Sequence, residues 1–211
     1  MTDQWSFLFL GAKMAIIVDK LKKRQDIACS CKNLLITDGF SHITISKISK
    51  TAGISKGSFY DYFENKEDLV FEVVSQMMQE YNQKLQSKVA MQKSTKEKIK
   101  VLTAFFYQDE FRELREIYAQ FAAISLVEKN EAIAAFQRKN HKFYKKWVEE
   151  IVQDGIKKGE IQKSALNLID GIFAALKGFF ISFRVMQRED ELEEQINSFL
   201  DAVFNLIEVE K

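Results

Sequence analysis

The sequence contains no proline and only eight glycines in 211 residues. An all-β chain built from many short strands needs those residues at its turns, so this scarcity argues against one and lets helical periodicities run unbroken. Cysteine is also scarce, with only Cys29 and Cys31. Two apart on a helix, they point to different faces and cannot readily share a metal or close a disulfide. With His42 and His141 the only histidines, a zinc site has too few ligands. Cys31 is expected in the core and Cys29 as a free thiol, which suits a reducing, cytoplasmic setting. No run of about eighteen uncharged apolar residues occurs, so a soluble chain with no membrane partner is expected. Nor is there a Ser-His-Asp or Cys-His grouping, a phosphate-binding glycine loop or a framed pair of carboxylates, and no catalytic residue, metal or cofactor is assigned.

Charge is nearly balanced at +1, but its distribution is uneven. Between Lys13 and Lys66 ten Lys/Arg stand against five Asp/Glu, a local +5 that leaves −4 for the remainder. The basic end is the N-terminal quarter. The opening MTDQWSFLFLGAK has no basic residue ahead of its apolar run and lacks the pattern of a signal peptide. Residues 1–18 are expected to be an arm or an over-extended start.

Apolar spacing predicts a first helix over 19–38, carrying Ile27, Cys31, Leu34 and Leu35, with Gly39 where a helix end favours a left-handed residue. HITISKI alternates like a strand, yet Thr44 is a good N-cap and Ile45, Ile48 and Ala52 fall at helical spacing, which predicts a short helix at about 45–51. Gly53 breaks it, and Ser55 caps a third helix through Asp61. Two short helices across a glycine turn make a helix-turn-helix. A long helix starting at Asn65 follows, with Leu69, Val73, Met77, Tyr81, Leu85 and Val89 in one row. Five more are expected at about 95–107, 109–128, 130–158, 164–188 and 190–208, with Ser94, Asn130, Ser164 and Asp190 near their starts and Gly159 near an end. The total is about nine helices in an all-α chain, divided into a head at 19–64 and a body at 65–211.

Residues 24–69, RQDIACSCKNLLITDGFSHITISKISKTAGISKGSFYDYFENKEDL, resemble the DNA-binding head of the TetR (tetracycline-repressor) family of bacterial transcription regulators. The matching features are Ile27, a small Cys31 where the family usually has alanine, Gly39-Phe40, Thr44, Ile48, AGISKG, the run Tyr60 to Phe63, and Lys66 with Leu69. Asp61 departs from the neutral or aromatic residue usual there and would repel a nearby phosphate.

The residues themselves suit the same role. A short helix opening Ser55-Lys56-Gly57-Ser58 has no bulky apolar side chain in its first turn and can enter a major groove by its N-terminus. Lys56 can reach guanine or phosphate, Gly57 permits close approach, Ser58 can meet a base edge, and the Tyr60 and Tyr62 hydroxyls can meet phosphate. Thr44 and Lys66 would clamp the backbone on either side. Set against these roles, Tyr60 and Tyr62 can be core residues, Thr44 simply a cap, and Lys47 and Lys50 a solvated face.

In the body, Gly171, Ala175, Gly178 and Ser182 form a row of small residues, and Ile196, Phe199 and Val203 recur at heptad-like spacing on the last helix. In the resembled family the corresponding helices form a four-helix bundle with a second copy, and a homodimer matches a palindromic operator. Alternatively, these stripes serve the core of one chain. Phe106, Tyr118, Phe121, Ser125, Asn140, Phe143 and Trp147 are candidates for a pocket holding a hydrophobic or aromatic effector, although aromatic residues at helical spacing also suit an ordinary core. His141 falls off that stripe and is expected to face solvent. The resemblance thus implies a dimeric repressor released from double-stranded DNA by a small molecule, the alternative being a DNA-bound structural or adaptor protein of the same fold with no effector.

Overall fold

The computed structural model describes residues 19–209, so the expected arm at 1–18 lies outside the described residues. The chain is all-α. Helix α1 (19–30) is followed by α2 (Lys32–His42), α3 (Ile45–Ala52), α4 (Lys56–Tyr60), α5 (Lys66–Ala90), α6 (Thr95–Thr103), α7 (Arg112–Val127), α8 (Glu131–Lys157), α9 (Ile169–Val185) and α10 (Leu192–Ile207). There are ten helices among the described residues rather than nine, because the expected first helix divides at Cys31, where the backbone turns to φ −93 and ψ 0. Its buried stripe of Ile27, Ala28, Cys31 and Leu35 continues through the break. Gly39 then turns the chain at φ 74 and ψ 165. This is not the left-handed helical conformation expected but a region essentially restricted to glycine.

The chain divides into two compact units, Met1–Met78 and Gln79–Lys211. The first unit's core brings Leu35, Phe40, Ile43 and Ile48 together with Phe59, Phe63 and Leu69, all buried. Cys31 is buried, which pushes its thiol pKa up, while Cys29 is exposed, as expected. In the second unit, Tyr81, Leu85 and Val89 from α5 share a core with Ile99, Phe111, Ile151, Leu176, Phe180, Ile196 and Phe204.

Four expected caps hold. The side chains of Thr44, Ser55, Ser94 and Asn130 each accept a backbone N–H from the first turn of their helix, and Ser94 with Glu97 closes a reciprocal capping box. Ser164 and Asp190 do not cap. Instead α9 and α10 are entered through 3-10 turns at Lys163–Leu168 and Glu189–Glu191. A further 3-10 turn, Ala104–Phe106, ends α6, and another, Asp109–Phe111, leads into α7. The segment Lys163–Val185 is apolar and long enough to cross a membrane by length and composition alone, although Asp170 and Lys177 lie within it. One such helix is weak evidence, since the core helix of a soluble protein meets the same criterion.

Helices α6 and α8 meet closely in the body. Thr95 is buried there, and its N–H and Oγ1–H both donate to the Glu160 carboxylate at 2.7 Å. A Cβ on Gly155 would stand 2.1 Å from Thr95 Oγ1, an impossible approach. Gly155→Ala must therefore push the helices apart or rotate Thr95 off Glu160. Against alanine's helix-propensity gain of ~1 kcal/mol, a net loss of about 1–2 kcal/mol is expected from the cost of overpacking. Urea denaturation of the two proteins measures it, and a variant as stable as the parent would mean the contact relaxes freely.

Candidate nucleic-acid interface

The helix-turn-helix is built by local backbone chemistry. Thr44 stands extended at φ −129 and ψ 154, and its Oγ1 accepts the N–H of Lys47 at 3.3 Å, starting α3. At the other end Gly53 adopts φ 66 and ψ 33, and the N–H groups of Gly53 and Ile54 return to the carbonyls of Lys50 at 3.4 Å and Ser49 at 3.0 Å. These two bonds are a Schellman closure. Two residues later Ser55 Oγ accepts the N–H of Ser58 at 2.9 Å and starts α4. Helix α4 spans five residues, shorter than expected, and ends at Tyr60.

The faces of α4 separate cleanly. Phe59 and Phe63 turn inward, fully buried, with ring centroids 5.4 Å apart. Lys56 and Gly57 are exposed, Ser58 and Tyr62 are half-buried, and Tyr60 is 60% exposed, so Tyr60 is not a core residue. Asp61 also points to solvent. A Cβ on Gly57 would meet only Ser55 Oγ, at an ordinary 3.6 Å, so nothing in the protein itself demands glycine there. Lys50 is exposed. Lys47, by contrast, pairs with Asp38 at 2.6 Å and lowers that carboxyl's pKa. Lys66 donates to the Phe40 carbonyl at 3.3 Å and lies 4.8 Å from that ring's centroid, tying the start of α5 to the end of α2.

Arg24 was not singled out by the sequence, yet it organises this unit. Its guanidinium bonds the Asp68 carboxylate at 2.7 Å, Glu72 at 3.2 Å and the Tyr62 carbonyl at 2.5 Å, and lies 4.4 Å from the centroid of Phe63. The hydrogen bond from Arg24 holds Asp68 below the usual carboxylate range, assisted by the Glu64 N–H. The available signal was the pair of acids at 68 and 72, one turn apart on α5, but their basic partner lies more than forty positions away in sequence.

In the body the proposed pocket residues separate. Phe106 and Tyr118 meet across Phe180, with centroids 6.0 and 5.9 Å from it, and Phe121 is buried against Phe136. Asn140 and Trp147 are half-buried, and Ser125 Oγ is buried without a partner. Phe143 departs from the expectation. It is 47% exposed and lies against Tyr144 and Trp147 of its own helix. Different neighbours cover a helix as long as α8 along its length, so one stripe need not stay inside. His141 is also corrected, since its Nδ1 is buried and its ring meets Phe173 at 5.2 Å.

Of the proposed dimer residues, Gly171, Gly178 and Ser182 are exposed, and Ala175, Phe199 and Val203 are half-buried. Ile196 has 0% exposure inside the chain's own core and offers no surface to a partner. The same helices expose Ile181, Val185 and Leu206, the last two more than three-quarters exposed.

Residues 32–73 match the family model for bacterial regulatory proteins of the tetR family. A fatty acid metabolism regulator protein of Bacillus subtilis (strain 168) is 24% identical over 147 residues, covering 68% of this chain and 73% of that protein. A TetR-family transcriptional regulator from Cytophaga hutchinsonii superposes with a TM-score of 0.73 at 19% identity, over 92% of this chain and 98% of that one. A putative regulator from Saccharomonospora viridis, in complex with choline, does so with a TM-score of 0.72 at 16% identity, over 90% and 99%. The family model thus covers the head, and the fold of the chain is one shared with solved TetR-family regulators.

The turn offers a direct test. A Cβ on Gly53 would meet nothing within 4 Å, so its replacement reports backbone strain alone. Gly53→Val should cost about 1–2 kcal/mol by the left-handed penalty, read as a lower thermal midpoint. An unchanged midpoint would show that the turn tolerates a side chain.

Proposed function

We propose that this TetR-family regulator is a homodimeric repressor that binds a palindromic operator and is released by a hydrophobic or aromatic small molecule. The observation that carries the reading is the exposed opening turn of α4, bare of large apolar side chains, with Thr44 and Lys66 on its flanks. Backbone N–H groups at such a turn attract phosphate, Lys56 and Ser58 can reach base edges, and the Tyr60 and Tyr62 hydroxyls can bond backbone oxygens. The head is assigned to 19–64 and the body to 65–211, and the compartment is the cytoplasm.

Dimerisation is supported by the exposed Gly171, Gly178, Ile181, Ser182 and Val185 on α9, with Leu206 on α10. Small residues allow close helix approach, and exposed aliphatic side chains gain by being covered. A two-fold axis would place two α4 helices on successive major grooves. The effector reading draws on the aromatic group around Phe180, on the relative named for fatty acid metabolism and on the structural neighbour bound to choline. The adaptor reading differs only in having no effector.

Fluorescence anisotropy on a labelled inverted repeat from the DNA flanking the gene tests both the protein and its effector. Lys66→Ala should weaken binding to all sequences and flatten the log-log salt dependence by about one unit, the share of one phosphate contact. Weakening with an unchanged slope would leave Lys66 as a structural tie to Phe40. If no acyl, aromatic or quaternary-amine compound releases the parent from DNA, the adaptor reading replaces the sensor.

A further inference from the structure

Several polar side chains inside the body lack partners, and two helices bring three of them together. Lys145 of α8 pairs with Asp170 of α9 at 2.7 Å, and one turn back along α8 the His141 ring meets Phe173 of α9 at 5.2 Å. The helices therefore run antiparallel, and the Lys177 charge acts on His141; the same register continued by a turn would set Gln137 opposite Lys177. His141 Nδ1 and Gln137 Nε2 are both buried without a hydrogen bond. Lys177 is half-buried in the apolar stretch of α9 and makes no ion pair among the described residues, and burial lowers its pKa. His141 is likewise lowered, first by burial and then by the neighbouring Lys177 charge.

A desolvated ammonium with no counter-ion, beside an amide N–H₂ and an imidazole nitrogen that also lack partners, is costly to keep empty. Three potential donors in one place select an anion. Phe173 of α9 lies against His141, and Phe136, next to Gln137 on α8, meets Phe121 of α7, with the unpartnered Ser125 hydroxyl one turn from Phe121. Such a setting suits a small anionic head on an apolar body. We propose that the body binds an amphipathic monocarboxylate, its carboxylate held by Lys177, Gln137 and His141 and its apolar part lying among the aromatic residues of α7, α8 and α9. This rests on the effector reading above and specifies the ligand's chemical class.

The test uses the full-length protein and isothermal titration with three probes, a medium-chain alkanoate, a phenylalkanoate and the alkanol matching the first. Parent protein should bind at least one acid about tenfold to a hundredfold more tightly than the alkanol, the range expected for charge-assisted hydrogen bonds. Lys177→Met should erase that preference while leaving alkanol binding in place, and Lys177→Arg should retain most of it. Because an unpaired ammonium is being removed, Lys177→Met should also be at least as thermally stable as the parent. Equal binding of acid and alcohol by the parent would overturn the anion site and leave the pocket standing. A preference that survives Lys177→Met would overturn it too, as would a Lys177→Met variant of lower stability, since Lys177 would then already have a carboxylate partner, for example across a dimer contact. Absence of binding by all three probes would overturn both the anion site and the apolar effector reading.

Discussion

The guanidinium of Arg24 holds together the parts of the head that must stay in register. It bonds two carboxylates on α5 and the backbone carbonyl of Tyr62 between α4 and α5, and lies across the Phe63 ring. Without it, α4 would rest on Phe59, Phe63 and its contact with α3, since five residues of helix have little stability of their own. The planar fork suits arginine and not lysine, because a point ammonium cannot serve two carboxylates and a carbonyl in fixed directions. The arrangement is only partly buried, so its contribution is geometric more than energetic. Lys66 makes the complementary tie on the other flank, from α5 to the end of α2, and together they fix where the exposed first turn of α4 points within the head.

Much of this fold could be read from short-range chemistry. Thr44, Ser55, Ser94 and Asn130 cap as their residue types and positions require, and Gly53 supplies the left-handed residue between α3 and α4. Each is decided within about four residues, where sequence and structure are nearly the same information. What depends on distant packing was not legible. Arg24 finds its carboxylate partners more than forty positions away, and the break at Cys31 leaves the buried stripe unchanged and so leaves no trace in periodicity. Asp190 and Ser164 look like caps, but the chain enters these helices through 3-10 turns that put Gln162 and Arg188 at the cap positions instead.

The apolar stripes of the body show the same limit more sharply. Ile196 belongs to the same heptad-like series as Phe199 and Val203, yet it is wholly consumed by the chain's own core while those two are only partly covered. Phe143 and His141 depart from their expected environments in opposite directions. The aromatic ring lies at the surface, and the titratable ring is turned in against Phe173. A stripe states that something will cover a helix face, not whether the cover is the same chain, a second copy or a ligand. Burial within the single chain marks what its own core covers, and Val185 and Leu206 remain uncovered there.

A ligand that satisfies Lys177 is not thereby an effector. Relieving an unpaired, half-buried charge would provide affinity, but affinity shared equally by the DNA-competent and DNA-released forms shifts nothing. A hundredfold loss of operator affinity requires about 2.7 kcal/mol of difference between them. The α9 helix offers a physical source for that difference, because it carries Phe173 and Lys177 on one side and the exposed Gly171, Gly178, Ile181 and Val185 on another. If the second face packs against a partner chain, a carboxylate drawing Lys177 toward α8 would act on the element that sets the spacing of the two chains. Ligand chemistry and dimer geometry would then be read by one helix, whose small residues let it shift against a neighbour by the fraction of an ångström that close packing makes consequential.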